Sequence, residues 1–301
     1  MKSQQMIVSL PKLLLPLVLI FLIPGMLLAA TPQAENNSNG SVEWNAAANW
    51  NLPAKPVDLV HTLDNKKVFI LTEDHRVLIY TAKGKKLGAI PVEDGVTAID
   101  IEPRGQVLYM INGKTNTFSS LQVDFVVEVN TKGAPFLGKE NAPVSLVIFT
   151  DFECPYCSKT EPLLSQVLEN NPDTLKIVFK NMPLSMHKNA EPAARAALAA
   201  EAQGKFWQMH DALFAADKLS KEKIDEIAKS IGLDMKKFQE DMKSPAIGQR
   251  LARDLLDARE VGVTGTPTLF INGRRVKNRS LKVIQKMIDE ELAKSKKGAQ
   301  K

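Results

Sequence analysis

The sequence predicts an α/β domain with a helical insertion, preceded by a small all-β module. An apolar, β-branched run at Val144–Phe149 stands directly before the only two cysteines of the 301 residues. A helical block over about 189–260 precedes a short hairpin and a closing helix. Short β-rich runs separated by turn residues occupy about 53–124. With 44% hydrophobic and 24% charged residues, the composition is that of a packed protein and not of a disordered one.

Residues 1–30 are predicted to be a secretory signal. Lys2 and Lys12 precede an apolar run, Leu13–Ala30, that ends in small residues. The run is long for a signal peptide, so an uncleaved N-terminal membrane anchor is the alternative. Either interpretation places the rest of the chain in the periplasm or another extracytoplasmic space, where disulfides persist.

Residues 31–52 are predicted to be a flexible leader and residues 53–124 a β-rich module. Predicted strands are Val68–Leu71, Val77–Tyr80, Ala98–Ile101 and Val107–Met110. A weak repeat relates the first and last of these with an offset of 39 residues, which is typical of one β-propeller blade. Three roles stay open: packing on the next domain, association of two chains into a homodimer, and substrate docking.

Residues 125–297 are predicted to be the α/β domain. Its expected elements are a first strand at Phe125–Val129, a strand at Val144–Phe149, a helix after Cys154 that Pro162 kinks, a strand at Thr174–Lys180, the helical block, a strand at Pro267–Asn272 and a helix at Leu281–Leu292. Asn272–Gly273 is a typical tight hairpin turn.

The two cysteines, Cys154 and Cys157, are predicted to do chemistry. The loop that they close is too short to restrain the unfolded chain much. Cys154 is expected at the start of a helix, where unpaired N–H groups and the helix dipole favour a thiolate, and Pro155 suits the first helical position. We expect Cys154 to attack a substrate and Cys157, one turn away, to resolve the mixed disulfide.

A metal, a cofactor and nucleic acid are not expected. One Cys-x-x-Cys pair supplies two ligands, whereas a closed zinc site needs four, and none of the four histidines stands at ligand spacing from the pair. The formal charge of +5 includes a lysine-rich C-terminal tail, and no basic stripe is interleaved with aromatic residues.

Three motifs together resemble a known family. They are Asp151–Cys157 after a buried strand, Phe179–Leu184 followed by His187, and Gly262–Thr268 before the hairpin. In this order and spacing, the segment at about 136–294 resembles the DsbA-like branch of the thioredoxin superfamily. The resemblance implies a thioredoxin-like fold and an enzyme that acts on protein or peptide thiols of exported proteins, and it implies a membrane redox partner that recycles it.

The resemblance also implies site residues beyond the cysteines. The Thr266–Pro267 bond is expected to be cis and to face Cys154, with the Thr266 backbone free to pair with an extended substrate. Phe152, Pro155 and Tyr156 are expected to tune the redox potential, contact substrate or pack around the sulfurs.

One position departs from the pattern of the family. Many relatives place a buried carboxylate six residues before the first cysteine, and here that residue is Ile148. Asp151 is the nearest acid before Cys154 and is a candidate proton relay, with a capping role as the alternative. The direction of exchange also stays open. An oxidase is the first hypothesis, and a dimeric reductase or isomerase and a redox-sensing binding module are the others.

Overall fold

A computed structural model describes residues 37–298, so the predicted signal or anchor at 1–30 lies outside the described residues. The described chain forms two compact units that divide between Ser120 and Leu121. Within residues 37–298, no helix has both the length and the apolar character that crossing a membrane requires.

The first unit consists of antiparallel strands. In chain order they are β1 (Asn37–Asn39), β2 (Val42–Trp44), β3 (Pro56–His61), β4 (Lys67–Thr72), β5 (Arg76–Thr81), β6 (Lys86–Pro91), β7 (Val96–Ile101), β8 (Val107–Asn112) and β9 (Thr117–Gln122), which ends just past the division. The strands form the sheets β1-β2, β3-β4-β5-β6 and β7-β8-β9. The four predicted strands correspond to β4, β5, β7 and β8.

The four-stranded meander β3–β6 has the strand order of one propeller blade, so the predicted all-β, blade-like module is confirmed. The sequence did not reveal β3 and β6, because these edge strands are mostly exposed and mix polar with apolar residues. The stretch predicted as a flexible leader contains the β1–β2 hairpin, whose exposed strands carry almost no apolar pattern.

One face of this meander is covered by residues that precede it. Ile70, Leu78 and Tyr80 are buried there, and Trp50 and Leu52 pack against them. The rings of Trp50 and Tyr80 lie 5.8 Å apart. The apolar side chains of 50–52 therefore close a face that would otherwise meet water.

The second unit contains a five-stranded sheet and eight helices within the described residues. Its elements are β10 (Phe136–Gly138), β11 (Val144–Thr150), α1 (Pro155–Ser158), α2 (Glu161–Asn170), β12 (Leu175–Asn181), α3 (Ala190–Glu201), α4 (Phe206–Ala215), α5 (Lys221–Ser230), α6 (Met235–Lys243), α7 (Pro245–Glu260), β13 (Thr268–Ile271), β14 (Arg274–Arg275) and α8 (Leu281–Gly298). The sheet order is β10-β12-β11-β13-β14, and β11 and β12 are parallel. The predicted thioredoxin-like fold with a helical insertion is confirmed.

The predicted first strand of this unit is wrong. Phe125–Val129 forms no regular strand: Val126 makes an isolated bridge to Arg274 and is 68% exposed. The edge strand is β10 instead, which pairs with β12. The apolar run at 125–129 resembles a strand in composition, but its place beside the turn at Gly273 leaves room for only one bridge.

The predicted single helix with a kink at Pro162 is instead two helices, and the break lies before Pro162. A proline ring clashes with the carbonyl four residues before it, which belongs here to Ser158. The first helix ends at that residue, and α2 begins at Glu161. Pro162 therefore lies in the first turn of α2, where its missing N–H leaves no hydrogen bond unmade.

The central strand β11 is buried on both faces. Val144, Leu146 and Ile148 point into the larger core, with α2, α8 and most of the helical insertion. Val147 and Phe149 point to the other face, against Ala258 of α7 and other apolar residues. This alternation, which the period of a strand dictates, decides on which side of the sheet each residue at the end of β11 lies.

Lys180 on β12 lies in a buried ion cluster. Its Nζ lies 2.7 Å from both Asp254 and Asp257 of α7, and its side chain is 2% exposed. We predict that Lys180→Ala lowers the free energy of unfolding by about 3–5 kcal/mol, because it leaves two buried carboxylates without their cation. The helical circular dichroism signal in urea measures this, since the helices among the described residues belong to the second unit.

Lys237→Ala, which removes an exposed partner of Asp241, is the matched control and should change the midpoint little. Equal effects of the two substitutions would contradict a stabilising role of the buried cluster.

Candidate active site

Cys154 lies where β11 passes into the active-site helix. It is the N-cap residue of α1, with extended backbone angles (φ −81°, ψ 118°), and Pro155 occupies the first helical position. The N–H groups of Cys157 and Ser158 donate to the Cys154 carbonyl, at 2.9 and 3.3 Å. The predicted strand-to-helix turn is confirmed, and it places the two cysteines one turn apart.

The two thiols are free and differ in their surroundings. Cys154 keeps 5% of its surface exposed, whereas Cys157 is completely buried. Burial raises the pKa of the Cys157 thiol to about 12, against smaller opposing effects of the Thr150 and Thr266 hydroxyls and the Asp151 backbone. Cys157 is therefore a protonated thiol at neutral pH, beside a more accessible partner.

The loop before β13 faces the first cysteine. The Thr266–Pro267 bond is cis, as the sequence resemblance implied. The Thr266 carbonyl accepts a weak hydrogen bond from the Cys154 thiol, with a sulfur–oxygen distance of 3.7 Å. Arg279 holds the loop from behind by donating to the Pro267 carbonyl at 2.9 Å. The structure thus brings Cys154, Thr266 and Pro267 together.

The aromatic residues around the cysteines differ in exposure. Tyr156 is 65% exposed, and Lys159 lies over its ring at 6.0 Å. Phe152 is buried, and its ring lies 5.4 Å from that of Phe179 and 4.8 Å from that of Phe214. Tyr156 lies at the surface, whereas Phe152 packs inside the domain.

Asp151, the candidate proton relay, is an anchor for neighbouring backbone. One carboxylate oxygen accepts the N–H of Glu153 at 2.7 Å. The other oxygen accepts the N–H of Leu184 and contacts Nδ1 of His187, both at 2.8 Å. A buried carboxylate with these partners stabilises the turn before Cys154 and the loop after β12.

Glu153 makes the second link to that loop. Its carboxylate accepts the backbone N–H of Asn189 at 2.7 Å and the Asn189 side-chain amide at 2.9 Å. Asn189 caps α3, so the negative charge lies at a helix N-terminus, where it is favourable. Between the two anchor points Met186 is 78% exposed. Two acids beside the cysteines thus fix a loop that presents an apolar side chain.

Sequence reasoning missed a partly buried acid beside a buried imidazole. Glu161, four residues after Cys157, lies 3.6 Å from Nε2 of His210, and Nδ1 of His210 lies 2.8 Å from Asp211. The spacing of Glu161 from the cysteines was visible in the sequence, but its burial depends on α4, which is distant along the chain.

Burial sets the protonation of this pair. It raises the pKa of Glu161 to about 7, with Asp211 adding repulsion, and it lowers the pKa of His210. A protonated Glu161 facing a neutral His210 fits these directions. The aromatic rings that surround His210 supply the desolvation, and they belong to Phe152, Phe179, Phe206, Trp207 and Phe214.

In the part of the chain that the structure describes, no group of three or more histidine, cysteine, aspartate or glutamate side chains is placed to hold a metal ion.

Glu161→Gln is predicted to stabilise the protein in a pH-dependent way. The pKa of this carboxyl is near the ordinary glutamate value of 4.5 in the unfolded chain and about 7 in the folded one. The wild type therefore loses stability as pH rises between these values, and the loss is complete above them. The variant should gain about 2–3 kcal/mol over wild type at alkaline pH and nothing at acid pH. Urea unfolding across pH measures this difference.

Glu169→Gln, at an exposed position of the same helix, is the control and should show no such trend. If the difference in unfolding free energy between Glu161→Gln and wild type does not increase with pH, the raised pKa of Glu161 is contradicted.

Comparisons with known proteins agree with this geometry. A family model described as thioredoxin matches residues 130–290. Oxidised BdbD from Bacillus subtilis has a similar structure, with a TM-score of 0.50 at 24% identity over 55% of this chain and 96% of that chain. The thiol–disulfide exchange protein alpha-DsbA2 from Wolbachia pipientis is 30% identical, with a TM-score of 0.48, over 53% of this chain and 87% of that chain.

The curated relatives are longer proteins. The Na(+)/H(+) antiporter NhaA 3 of Salinispora tropica is 38% identical over 155 residues, which are 51% of this chain and 24% of the antiporter. The antiporter NhaA of Herminiimonas arsenicoxydans is 37% identical over 141 residues, 46% of this chain and 22% of the antiporter. The chain thus spans about a quarter of the length of these relatives. The match to the family model covers half of the chain, and the chain therefore belongs to the thioredoxin family; the matched segment contains the pair Cys154 and Cys157.

Proposed function

We propose that the protein is an extracytoplasmic thiol–disulfide oxidoreductase that acts on cysteines of exported proteins, in the oxidising direction. The observation that supports it best is the asymmetry of the pair. Cys154 caps the active-site helix beside the Thr266 carbonyl, whereas Cys157 is buried one turn further on. One sulfur meets the substrate, and the other takes part only after a mixed disulfide has formed.

The backbone beside Cys154 supplies a place for an extended substrate. The Thr266 carbonyl lies at 3.7 Å from the Cys154 sulfur, so a peptide that pairs with this residue brings its own cysteine to the site. The exposed Tyr156 and Met186 present apolar surface on the segments that flank Cys154. Such a surface favours unfolded chains, whose apolar residues are accessible, over folded proteins.

Recycling and location form part of the proposal. An oxidase ends each cycle with both cysteines reduced, so it needs a membrane redox partner that restores the disulfide. The predicted signal or anchor at 1–30 would deliver the domain to the compartment where exported proteins acquire disulfides.

A dimeric reductase or isomerase is the second candidate function, and the first unit supports it. The sheet β7–β9 carries an apolar groove of about 400 Å³ that includes Tyr109, Ile111 and Phe118. Ile111 is 46% and Phe118 64% exposed. Exposed apolar surface of this kind is typical of an interaction site, and dimerisation through the N-terminal module would use it.

Cysteine variants test whether Cys154 attacks the substrate and Cys157 resolves the mixed disulfide. We expect Cys154→Ser to abolish disulfide exchange with a reduced substrate protein, because the attacking sulfur is gone. Cys157→Ser is first converted at Cys154 to a mixed disulfide with thionitrobenzoate. The reduced substrate should then displace the thionitrobenzoate and remain linked to Cys154 as a mixed disulfide, visible as a shifted band on a non-reducing gel. The proposal would be contradicted if Cys154→Ser still exchanged disulfides with the substrate, or if both variants formed equal amounts of the mixed disulfide.

The reduction potential of the Cys154–Cys157 couple tests the direction. An oxidase is expected at about −120 to −180 mV, measured by equilibration with glutathione. A potential of about −270 mV would exclude the oxidase and keep the exchange activity. If the solution mass also showed a dimer, and deletion of residues 37–120 made it monomeric, the reductase or isomerase would replace the oxidase.

A further inference from the structure

Cys157 has to carry negative charge at one step of the proposed reaction, although it is buried and protonated. In the oxidising direction a substrate thiolate attacks the Cys154 sulfur, the Cys154–Cys157 bond breaks, and its electron pair leaves on Cys157. The proton lost by the substrate thiol ends on Cys157. In the reverse direction Cys157 loses this proton, attacks the mixed disulfide and expels the substrate thiolate, which takes it.

The sequence position that holds a buried carboxylate in many relatives is apolar in this chain. The position six residues before Cys154 is Ile148, a fully buried core residue. The oxygens of Asp151 are engaged by two N–H groups and His187, and those of Glu153 by Asn189. The carboxylates that flank the pair are therefore occupied by other partners.

Two threonine hydroxyls lie at the Cys157 sulfur instead. Thr150 is the last residue of β11 and shares a face with Val144, Leu146 and Ile148, which is the face on which α2 packs. Thr266 approaches from the loop before β13. Both hydroxyl oxygens are buried, and neither has a hydrogen-bond partner among the described residues. Both hydroxyls act to lower the pKa of the Cys157 thiol.

A buried hydroxyl without a hydrogen-bond partner is unusual, because leaving it unsatisfied costs free energy. These two hydroxyls lose little by turning their protons toward Cys157 when it becomes a thiolate. The resulting hydrogen bonds to a charged sulfur are stronger than those to the neutral thiol. The arrangement thus favours the charged state of Cys157 without placing a second charge beside it.

We infer that Thr150 is a further catalytic residue, whose hydroxyl donates a hydrogen bond to the Cys157 sulfur as it becomes a thiolate, together with the hydroxyl of Thr266. The inference rests on the proposed function, since it concerns the step in which Cys157 takes part. Thr150 is the more informative of the two, because it does not adjoin the substrate surface at Cys154.

One experiment measures the reaction rates of the two cysteines separately. Reduced protein is mixed with the chromogenic aromatic disulfide dithionitrobenzoate in a stopped-flow instrument. Attack by Cys154 releases a first thionitrobenzoate in a concentration-dependent phase. Attack by Cys157 on the mixed disulfide then releases a second in a concentration-independent phase. The reagent serves as the oxidant, so the reading does not depend on any protein substrate.

We expect Thr150→Val, which keeps the shape and removes the hydroxyl, to slow the second phase about tenfold across neutral pH and to leave the first unchanged. Thr150→Ser, which keeps the hydroxyl, should behave like wild type. If Thr150→Val does not fold, Thr150→Ala takes its place. The inference would be overturned if the rate of the second phase in Thr150→Val were within twofold of the wild-type rate. Equal slowing of this phase by Thr150→Val and Thr150→Ser would also overturn it.

Different results would contradict the role of Thr150 and the proposed function. If Cys154 gives no first phase, or if the protein shows both phases but never exchanges disulfides with a protein substrate, the proposed function fails. If exchange with protein substrates is normal and Thr150→Val leaves the second phase unchanged, only the role of Thr150 is lost.

Discussion

The burial of the Cys157 sulfur is the constraint on which the rest of the site depends. The sulfur is enclosed by the end of β11, the first turn of α1 and the loop that carries Thr266, and it has no exposed surface. Desolvation keeps it protonated, so the two thiols of the pair differ in chemistry although they are three residues apart. An equally exposed pair would react indiscriminately, whereas this pair has a fixed order of events.

The acidic residues near the cysteines hold backbone segments in place through hydrogen bonds. Asp151 and Glu153 tie the turn before Cys154 to the loop at 184–189, with backbone N–H groups as the main donors. Hydrogen bonds to a carboxylate are strong where water is excluded, so this loop is held in place relative to Cys154. The exposed Met186 belongs to this loop and is therefore held with it.

The sequence predicted the strand before the cysteines, the helical insertion, the hairpin at Asn272–Gly273 and the motif residues, because apolar period, helix caps and turn residues are local signals. It failed at Phe125–Val129, where an apolar run makes only one bridge to β14, and at the edge strands β3 and β6, where burial is weak. Contacts that join distant segments, such as Glu161 with His210, carry no local signal at all.

The distribution of buried charge in the second unit is consistent with uncharged threonine hydroxyls near Cys157. Lys180 and its two aspartates lie on the face of β12 toward α7, whereas Ile148 and Thr150 belong to the opposite face of the sheet. The alternation of strand residues keeps these groups apart. On the Cys157 side a permanent carboxylate would repel the thiolate, while a hydroxyl can donate to it and remain neutral. The sheet thus puts its ions where they stabilise the fold and leaves uncharged donors where the sulfur becomes charged.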